Sequence, residues 1–196
     1  MWDQRNDRQA EAGLRASLAR EFQGNREILA ETMAGIRQSR SRIEAFAVMA
    51  SEQVLSLPDD SAWVYLDDLS RPYTAELGSG VTKSAVSSGT LALIRDETLR
   101  ESLAGWLGRV DDIRERAGVM VTQEAYVQSS VDRVAAGLRL GILSPSNSAE
   151  LLHAVQSDSE TMARVGRKHF HSGLYLDELT MLRSHLDSIL AMLDGS

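Results

Sequence analysis

The sequence predicts an all-α fold, an elongated helical bundle of three long helices with a broken connector of short helices. Over long stretches, apolar residues recur at alternating intervals of three and four residues, which is the spacing of helices that pack side by side. Only 3 prolines occur in 196 residues, and no alternating apolar and polar run bounded by turn residues is long enough to predict a strand. We therefore interpret residues 1–196 as a single helical domain.

The first long helix is predicted over residues 2–55. Pro58 ends it, because proline lacks an amide proton and disfavours helix in the residue before it. A charged residue, Arg40, interrupts the apolar stripe of this helix. The other positions of the stripe are apolar: Leu14, Leu18, Phe22, Leu29, Met33, Ile36, Ile43, Ala47, Ala50 and Val54.

The connector, residues 56–95, is predicted to form short helices separated by turns. Asp59 and Asp60 are suited to cap the first of them. Proline and glycine residues then divide the segment, and we expect further short helices near Thr74–Leu77 and Val81–Ser87.

The second long helix, residues 96–141, has the most regular pattern in the chain. Gly89 can adopt a positive φ and turn the chain toward it, and Asp96 is a suitable N-cap. Eleven of twelve positions at the four-three spacing are apolar, and Glu124 is the exception. Gly141 is expected to end the helix.

A short helix over residues 144–156 and a third long helix over residues 158–193 complete the predicted fold. Ser144-Pro145 suits the start of the short helix, and Ser157 with Glu160 has the spacing of a capping box for the long one. Its apolar stripe becomes polar when it is extended toward the helix start. The apolar members are Leu179, Leu182, Leu186, Ile189 and Leu193.

Composition excludes several classes of function. There are 21 basic and 28 acidic residues, which gives a net charge of −7, and the pI is near 5.1. We expect no nucleic-acid partner, because a nucleic-acid binder needs a basic face. The chain has no cysteine, so disulfides, thiolate catalysis and cysteine-ligated metals are excluded.

No motif in the sequence predicts catalysis. The chain contains neither an HExxH helix, nor a phosphate-binding glycine loop, nor a nucleophile elbow. The adjacent acidic pair Asp67-Asp68 is expected on a solvated face. We predict no catalytic residue, no metal ligand and no cofactor, and hence a protein that is not an enzyme.

Charged residues within the apolar stripes are the candidate buried polar positions: Arg40, Glu124, Arg164 and Lys168. An unpaired buried charge costs several kcal/mol, so each should be paired, hydrated or outside the core. If the second and third long helices are antiparallel, Glu124 lies level with Arg164 and near Lys168, and a pair there would fix the helix register. A polar ligand pocket within the bundle and simple solvation are the alternatives.

Three aromatic residues of the connector form a candidate contact patch: Trp63, Tyr65 and Tyr73. Aromatic side chains often dominate the binding energy of protein interfaces. Packing of these rings against the long helices is the alternative interpretation.

Two stretches carry a family resemblance. Trp2 precedes Arg5 and Arg8 at the start of a long charged helix, and a serine-glycine turn at Gly89 precedes a short apolar segment. The second stretch then continues with Asp96, Leu99-Arg100, Leu103 and Trp106. The chain thereby resembles an uncharacterised bacterial family of membrane-anchored proteins, a domain of unknown function. In that family, one N-terminal transmembrane helix is followed directly by a helical extracytoplasmic domain.

The resemblance implies a domain outside the cytoplasmic membrane, tethered through a transmembrane helix that this sequence lacks. No run of apolar residues here is long enough to span a bilayer, and the first residues are polar. By themselves these features favour a cytoplasmic protein. We expect a non-enzymatic scaffold, partner-binding or sensor-like module with a protein partner or self-association. The alternative is a soluble helical enzyme or ligand-binding protein with a site built from scattered residues of the bundle.

Overall fold

The computed structural model describes residues 2–138 and 147–195, and for residues 2–7 it describes the helical backbone alone. Within those ranges the chain is helical without strands, which confirms the predicted all-α class. A 3-10 turn, Thr90–Leu93, precedes the second long helix. The α-helices are α1 (Trp2–Ala47), α2 (Ser51–Leu55), α3 (Asp59–Ser70), α4 (Gly80–Ser87), α5 (Glu97–Gly137), α6 (Ser148–Ser157) and α7 (Ser159–Asp194).

The first helix ends at Ala47, so the prediction of one helix over residues 2–55 is wrong beyond that residue. Ala50 is extended, with φ −67° and ψ 147°, and the separate helix α2 then begins. The break exposes carbonyl groups that Gln156 of α6 satisfies, because its Nε2 donates to the oxygens of Phe46 (3.2 Å) and Met49 (2.7 Å). Local spacing in the sequence carries no signal of this contact with α6.

The connector contains two of the predicted short helices, α3 and α4, but the helix predicted at Thr74–Leu77 is absent and that segment is non-helical. Arg71 is extended, as expected for a residue before proline. Asn25 of α1 binds both backbone groups of Gly78: its Nδ2 donates to the oxygen (2.8 Å) and its Oδ1 accepts from the nitrogen (2.7 Å). This contact with α1 fixes the backbone directly after the non-helical segment.

Carboxylates cap several helices, although only some of the caps are the predicted ones. Asp96 caps α5, because its Oδ1 accepts from the nitrogen of Leu99 at 3.1 Å, as predicted. At the start of α7, Asp158 takes the role predicted for Ser157. Asp59 accepts from the nitrogen of Ala149 (3.2 Å), so it serves α6 from a different helix.

The predicted helix end at Gly141 and the predicted helix start at Ser144-Pro145 lie outside the described residues. Within those residues α5 already ends at Gly137 and α6 begins only at Ser148, so both predicted helices are too long. The predicted turn at Gly89 is confirmed, since its φ is +74°, a conformation that glycine adopts without steric cost. In α4, the N-terminal amides of Val81 (2.6 Å) and Thr82 (3.1 Å) bind the carboxylate of Glu21, which belongs to α1.

The chain divides into two compact units, to each of which α1, α5 and α7 contribute. The first unit contains α1 up to Thr32, residues 75–116 and α7 from Asp177. Its core holds Trp106, which is fully buried and packs against Phe22 with ring centroids 4.8 Å apart.

The second unit contains residues 33–74 and the parts of α5, α6 and α7 between residues 117 and 176 that the structure describes. In this unit α6 packs against α2 and α3. Its apolar core includes Ile43, Phe46, Val54, Leu66, Leu69, Val127, Val131, Leu151, Leu152, Val155 and Val165.

Candidate functional site

The most unusual group of the second unit is the ammonium of Lys168, which lies in the apolar stripe of α7 with only 3% of the residue exposed. Its Nζ donates to the carbonyl oxygens of Asp68 (2.8 Å), Leu69 (2.8 Å) and Arg71 (3.1 Å). An ammonium has three protons, and three carbonyl oxygens accept from this one. Its hydrogen-bonding capacity is therefore used within the fold.

These carbonyls belong to the C-terminal end of α3. The last carbonyls of an α-helix have no partner within the helix, and a positive charge there interacts favourably with the helix dipole. Pro72 helps to end α3, because it keeps the residue before it extended. Lys168 thus serves as a C-terminal cap supplied by a distant helix.

Asp68 brings a second set of bonds to the same place. Its carboxylate is buried, and it accepts from Nη1 of Arg42 at 2.8 Å and from the hydroxyl of Tyr73 at 3.3 Å. The hydroxyl of Ser39 donates to the Asp68 carbonyl oxygen at 3.4 Å. We call Lys168, Asp68, Arg42, Tyr73 and Glu124 the Lys168 cluster.

The electrostatics of the cluster follow from burial. Loss of hydration lowers the pKa of Lys168 to about 8, while the negative charges of Glu124, Asp68 and Asp67 oppose that fall. Burial raises the pKa of Glu124, and the charge of Lys168 opposes this rise. Burial also raises the pKa of Tyr73, and the neighbouring Asp68 carboxylate adds to the effect.

The predicted positions Glu124 and Arg164 take different partners from those of the register hypothesis. Arg164 binds Oε1 of Glu160 on its own helix at 2.7 Å and the carbonyl oxygen of Tyr126 at 3.1 Å. Glu124 is half-buried and acts on Lys168 through its charge, while the ammonium itself binds carbonyls. The reason is that the end of α3 offers acceptors closer to Lys168 than the carboxylate on α5.

Arg40 connects α1 to α7. Its Nη1 donates to the carbonyl oxygen of His169 and to the hydroxyl of Ser172 (3.1 Å). The guanidinium lies so close to Gly173 that a Cβ there would be 2.9 Å from Nη1. Glu44, which is exposed, is 3.9 Å from Arg40 Nη2 and 2.8 Å from Nε2 of His169. Arg40 is thus a polar cross-link between two helices.

The three residues of the predicted contact patch are in different environments. Tyr73 is half-buried against Gly35 of α1 and binds Asp68, and Tyr65 packs on Phe46 with ring centroids 6.2 Å apart. Trp63 is 40% exposed. Of the three aromatic residues, Trp63 is the most exposed.

Sequence reasoning missed Asp68 and Arg42. The acidic pair was assigned to a solvated face, and this holds for Asp67, which pairs with Arg71 at the surface, but Asp68 is 1% exposed. A signal was available, because Asp68 lies directly beside Leu69 at the edge of the buried stripe of α3.

The described residues hold no group of three or more histidine, aspartate or glutamate side chains that could bind a metal ion. Of the helices within those ranges, none is both long enough and apolar enough to cross a bilayer. Comparison of the chain with models of protein families, with curated proteins and with solved structures found no match. These comparisons therefore provide no evidence for or against catalytic activity.

Proposed function

We propose that this chain is a non-enzymatic helical domain that works as a scaffold or partner-binding module. The observation that carries the proposal concerns Lys168, the buried group best suited to chemistry. Its ammonium donates to three backbone carbonyl oxygens within the fold. A catalytic lysine needs a proton or lone pair that can reach a substrate. This bonding supports a structural role for the cluster.

Exposed apolar side chains support a partner-binding role. Phe170 is 61% exposed, and Leu174, one turn later on α7, is 37% exposed. The apolar stripe of α1, including Leu29 and Ile36, is covered within the chain itself. Self-association through that stripe would require the fold to open, so we propose that partners bind the exposed faces of the helices instead.

Photo-crosslinking tests the partner-binding role. A benzophenone amino acid replaces Phe170 in one variant and Trp63 in another, and a third variant carries it at the exposed Ser129 as a matched control. We expect discrete protein adducts from positions 170 and 63 in the native cell and fewer from position 129. Equal labelling from all three positions would contradict a specific binding face.

We also propose that the domain is tethered outside the cytoplasmic membrane by a helix that precedes this sequence in the natural protein. The support is the resemblance carried by Trp2, Arg5 and Arg8 and by the stretch from Gly89 to Trp106. The test expresses the natural gene with its upstream codons and a C-terminal epitope. The product is then followed by membrane fractionation and by protease treatment of spheroplasts.

The expected result is a membrane-bound product whose epitope is lost when protease is added from outside. The 196-residue chain expressed by itself is the control, and it should be absent from the membrane fraction. Recovery of the natural product in the soluble cytoplasmic fraction would overturn the tethering proposal and leave the partner-binding proposal to its own experiment.

A second candidate function is a helical ligand-binding protein or enzyme centred on the Lys168 cluster. It is favoured by a lysine pKa of about 8 beside a half-buried glutamate, since perturbed pairs of this kind occur at functional sites. The variant Lys168→Met distinguishes the two functions. If this variant is less stable but still forms the same adducts from position 170, the scaffold function is supported. If it folds stably but no longer binds a small molecule that the unaltered chain binds, the alternative is supported.

A further inference from the structure

Two buried nitrogen atoms in the first unit have no hydrogen-bond partner in the described chain. Trp106 of α5 is fully buried and its Nε1 is unpaired, and Nε2 of His185 on α7 is buried and unpaired as well. The two rings are neighbours, with centroids 6.4 Å apart and planes inclined by 22°. Buried polar groups almost always have a partner, and an exception often marks a bound water or ion.

The two atoms have complementary hydrogen-bonding roles. An indole Nε1 can only donate. The imidazole of His185 makes a hydrogen bond to the Ser102 backbone, and because Nε2 is unpaired, that bond belongs to Nδ1. Burial lowers the pKa of His185 and the charge of Arg109 lowers it further, although the bond to Ser102 opposes the fall. Because that bond favours the protonated ring, Nδ1 donates in it, and the neutral ring therefore presents its other nitrogen, Nε2, as an acceptor.

A molecule that satisfies both nitrogens must accept one hydrogen bond and donate another. A metal cation cannot accept from the indole, and a fully ionised phosphate or carboxylate cannot donate to the imidazole. A neutral hydroxyl meets both requirements, and water is the smallest molecule that has one. Internal waters in proteins have this role, since they join buried polar groups that would otherwise remain unpaired.

We propose that Trp106 and His185 form a binding site for one internal water molecule, which accepts from the indole N–H and donates to the imidazole Nε2. The water would link α5 to α7 within the first unit. Phe22 packs against the indole ring, with centroids 4.8 Å apart. The site is separate from the Lys168 cluster, and this proposal does not depend on the proposed function.

The test is an NMR measurement on the folded, ¹⁵N-labelled chain. We expect the Trp106 indole proton to show cross-relaxation with water, with the sign and size of a long-lived bound molecule. Trp63, whose side chain is 40% exposed, is the matched control, and its indole proton should exchange with bulk solvent. Absence of the water signal at Trp106 would overturn the proposal.

Two further measurements make the test specific. A direct hydrogen bond between the rings would give a scalar coupling between Nε1 of Trp106 and Nε2 of His185, and detection of that coupling would also overturn the proposal. In His185→Leu, the water signal at Trp106 should be lost, whereas in His153→Leu, which alters a half-buried histidine of α6, it should remain. A signal that persists in a folded His185→Leu variant would contradict the role of His185, and if that variant fails to fold, the spectrum of the unaltered chain decides.

Discussion

At the scale of single residues, Lys168 shows how a charge is accommodated in an apolar stripe. Its side chain is buried because the apolar stripe of α7 packs inward. Its ammonium donates to free carbonyl groups at the C-terminal end of α3, and these bonds replace part of its lost hydration. Desolvation costs free energy, as the fall of its pKa to about 8 indicates. The carbonyl bonds and the nearby carboxylates of Glu124 and Asp68 offset part of that cost.

We predict that Lys168→Met lowers the free energy of unfolding at pH 7 by about 2 kcal/mol, because three carbonyl groups lose their donor. Urea unfolding followed by circular dichroism measures the change. The chain contains one other lysine, Lys83, which is exposed on α4 and provides a matched control. Lys83→Met should stay within about 0.5 kcal/mol of the unaltered chain, and equal losses in the two variants would contradict the capping role.

The same pair of variants gives a pH dependence. In the folded chain Lys168 loses its proton near pH 8, whereas in the unfolded chain it keeps the proton to about 10.5. Between these values the unfolded state binds more protons than the folded state. The contribution of Lys168 to the free energy of unfolding therefore increases as the pH rises from about 8 to about 10.5, and it is smallest at neutral pH. The stability difference between the unaltered chain and Lys168→Met should therefore grow by roughly 3 kcal/mol across this window. A flat difference would mean that the amine is hydrated.

Glu124 permits a separate prediction at this scale. Its negative charge raises the pKa of Lys168, so Glu124→Gln should lower that pKa below about 8. Titration of the ¹³Cε resonances of selectively labelled lysine measures the change, with Lys83 as an internal reference. An unchanged Lys168 titration would show that Glu124 is too well solvated to act on it.

At the scale of elements, close approach between a helix and the connector depends on a small residue. Gly35 lies on α1 where the ring of Tyr73 packs, and an added Cβ would overlap Cδ1 and Cε1 of that ring. Gly24, on the same helix, has no atom within 4 Å of an added Cβ. Substitution of Gly35 therefore tests a packing requirement, whereas substitution of Gly24 tests helix propensity alone.

Gly35→Ala should lower the free energy of unfolding by about 1–3 kcal/mol, because the ring of Tyr73 must move away from its contact with α1. Gly24→Ala should instead raise it by up to about 1 kcal/mol, since alanine favours the helix and restricts the unfolded chain. Thermal and urea unfolding of both variants provide the comparison. Stabilisation by both substitutions would mean that the Tyr73 contact adapts without cost.

Element boundaries show the limits of local pattern. The start of α5 at Asp96 and the turn at Gly89 were predicted correctly, because a cap and a positive φ depend on the residues themselves. The end of α1 at Ala47 and the loss of helix at Thr74–Leu77 were not predicted, and at both places a side chain from a distant helix binds the backbone shortly after the change, at Met49 and at Gly78. The stripe itself shifts at the end of α1, where Phe46 is buried and the predicted Ala47 is exposed.

At the scale of the whole molecule, the three long helices each contribute residues to both compact units. If one unit unfolded by itself, its parts of α1, α5 and α7 would lose the core against which they pack, although the same helices continue into the other unit. Because isolated helical segments are marginally stable in water, we predict that the chain unfolds in one cooperative transition.

The variant with Trp2→Phe and Trp63→Phe tests this prediction. It keeps Trp106, whose fluorescence reports the core of the first unit, while far-ultraviolet circular dichroism reports all the helices. The two transitions in urea should coincide. A Trp106 transition that is clearly displaced from the loss of helix would show that the units unfold separately.

The sequence by itself determined the all-α class, the long helices and the stripes that face the core, because periodic burial and helix caps depend on residues close together in the chain. It also identified Lys168 as an anomaly in its stripe, although not the acceptors that bind it. Only the tertiary structure decided that the end of α3 meets Lys168, that Asp68 binds Arg42 and Tyr73, and that Trp106 lies beside His185. These contacts join residues far apart in sequence, and their geometry depends on how the helices pack, which no local spacing encodes.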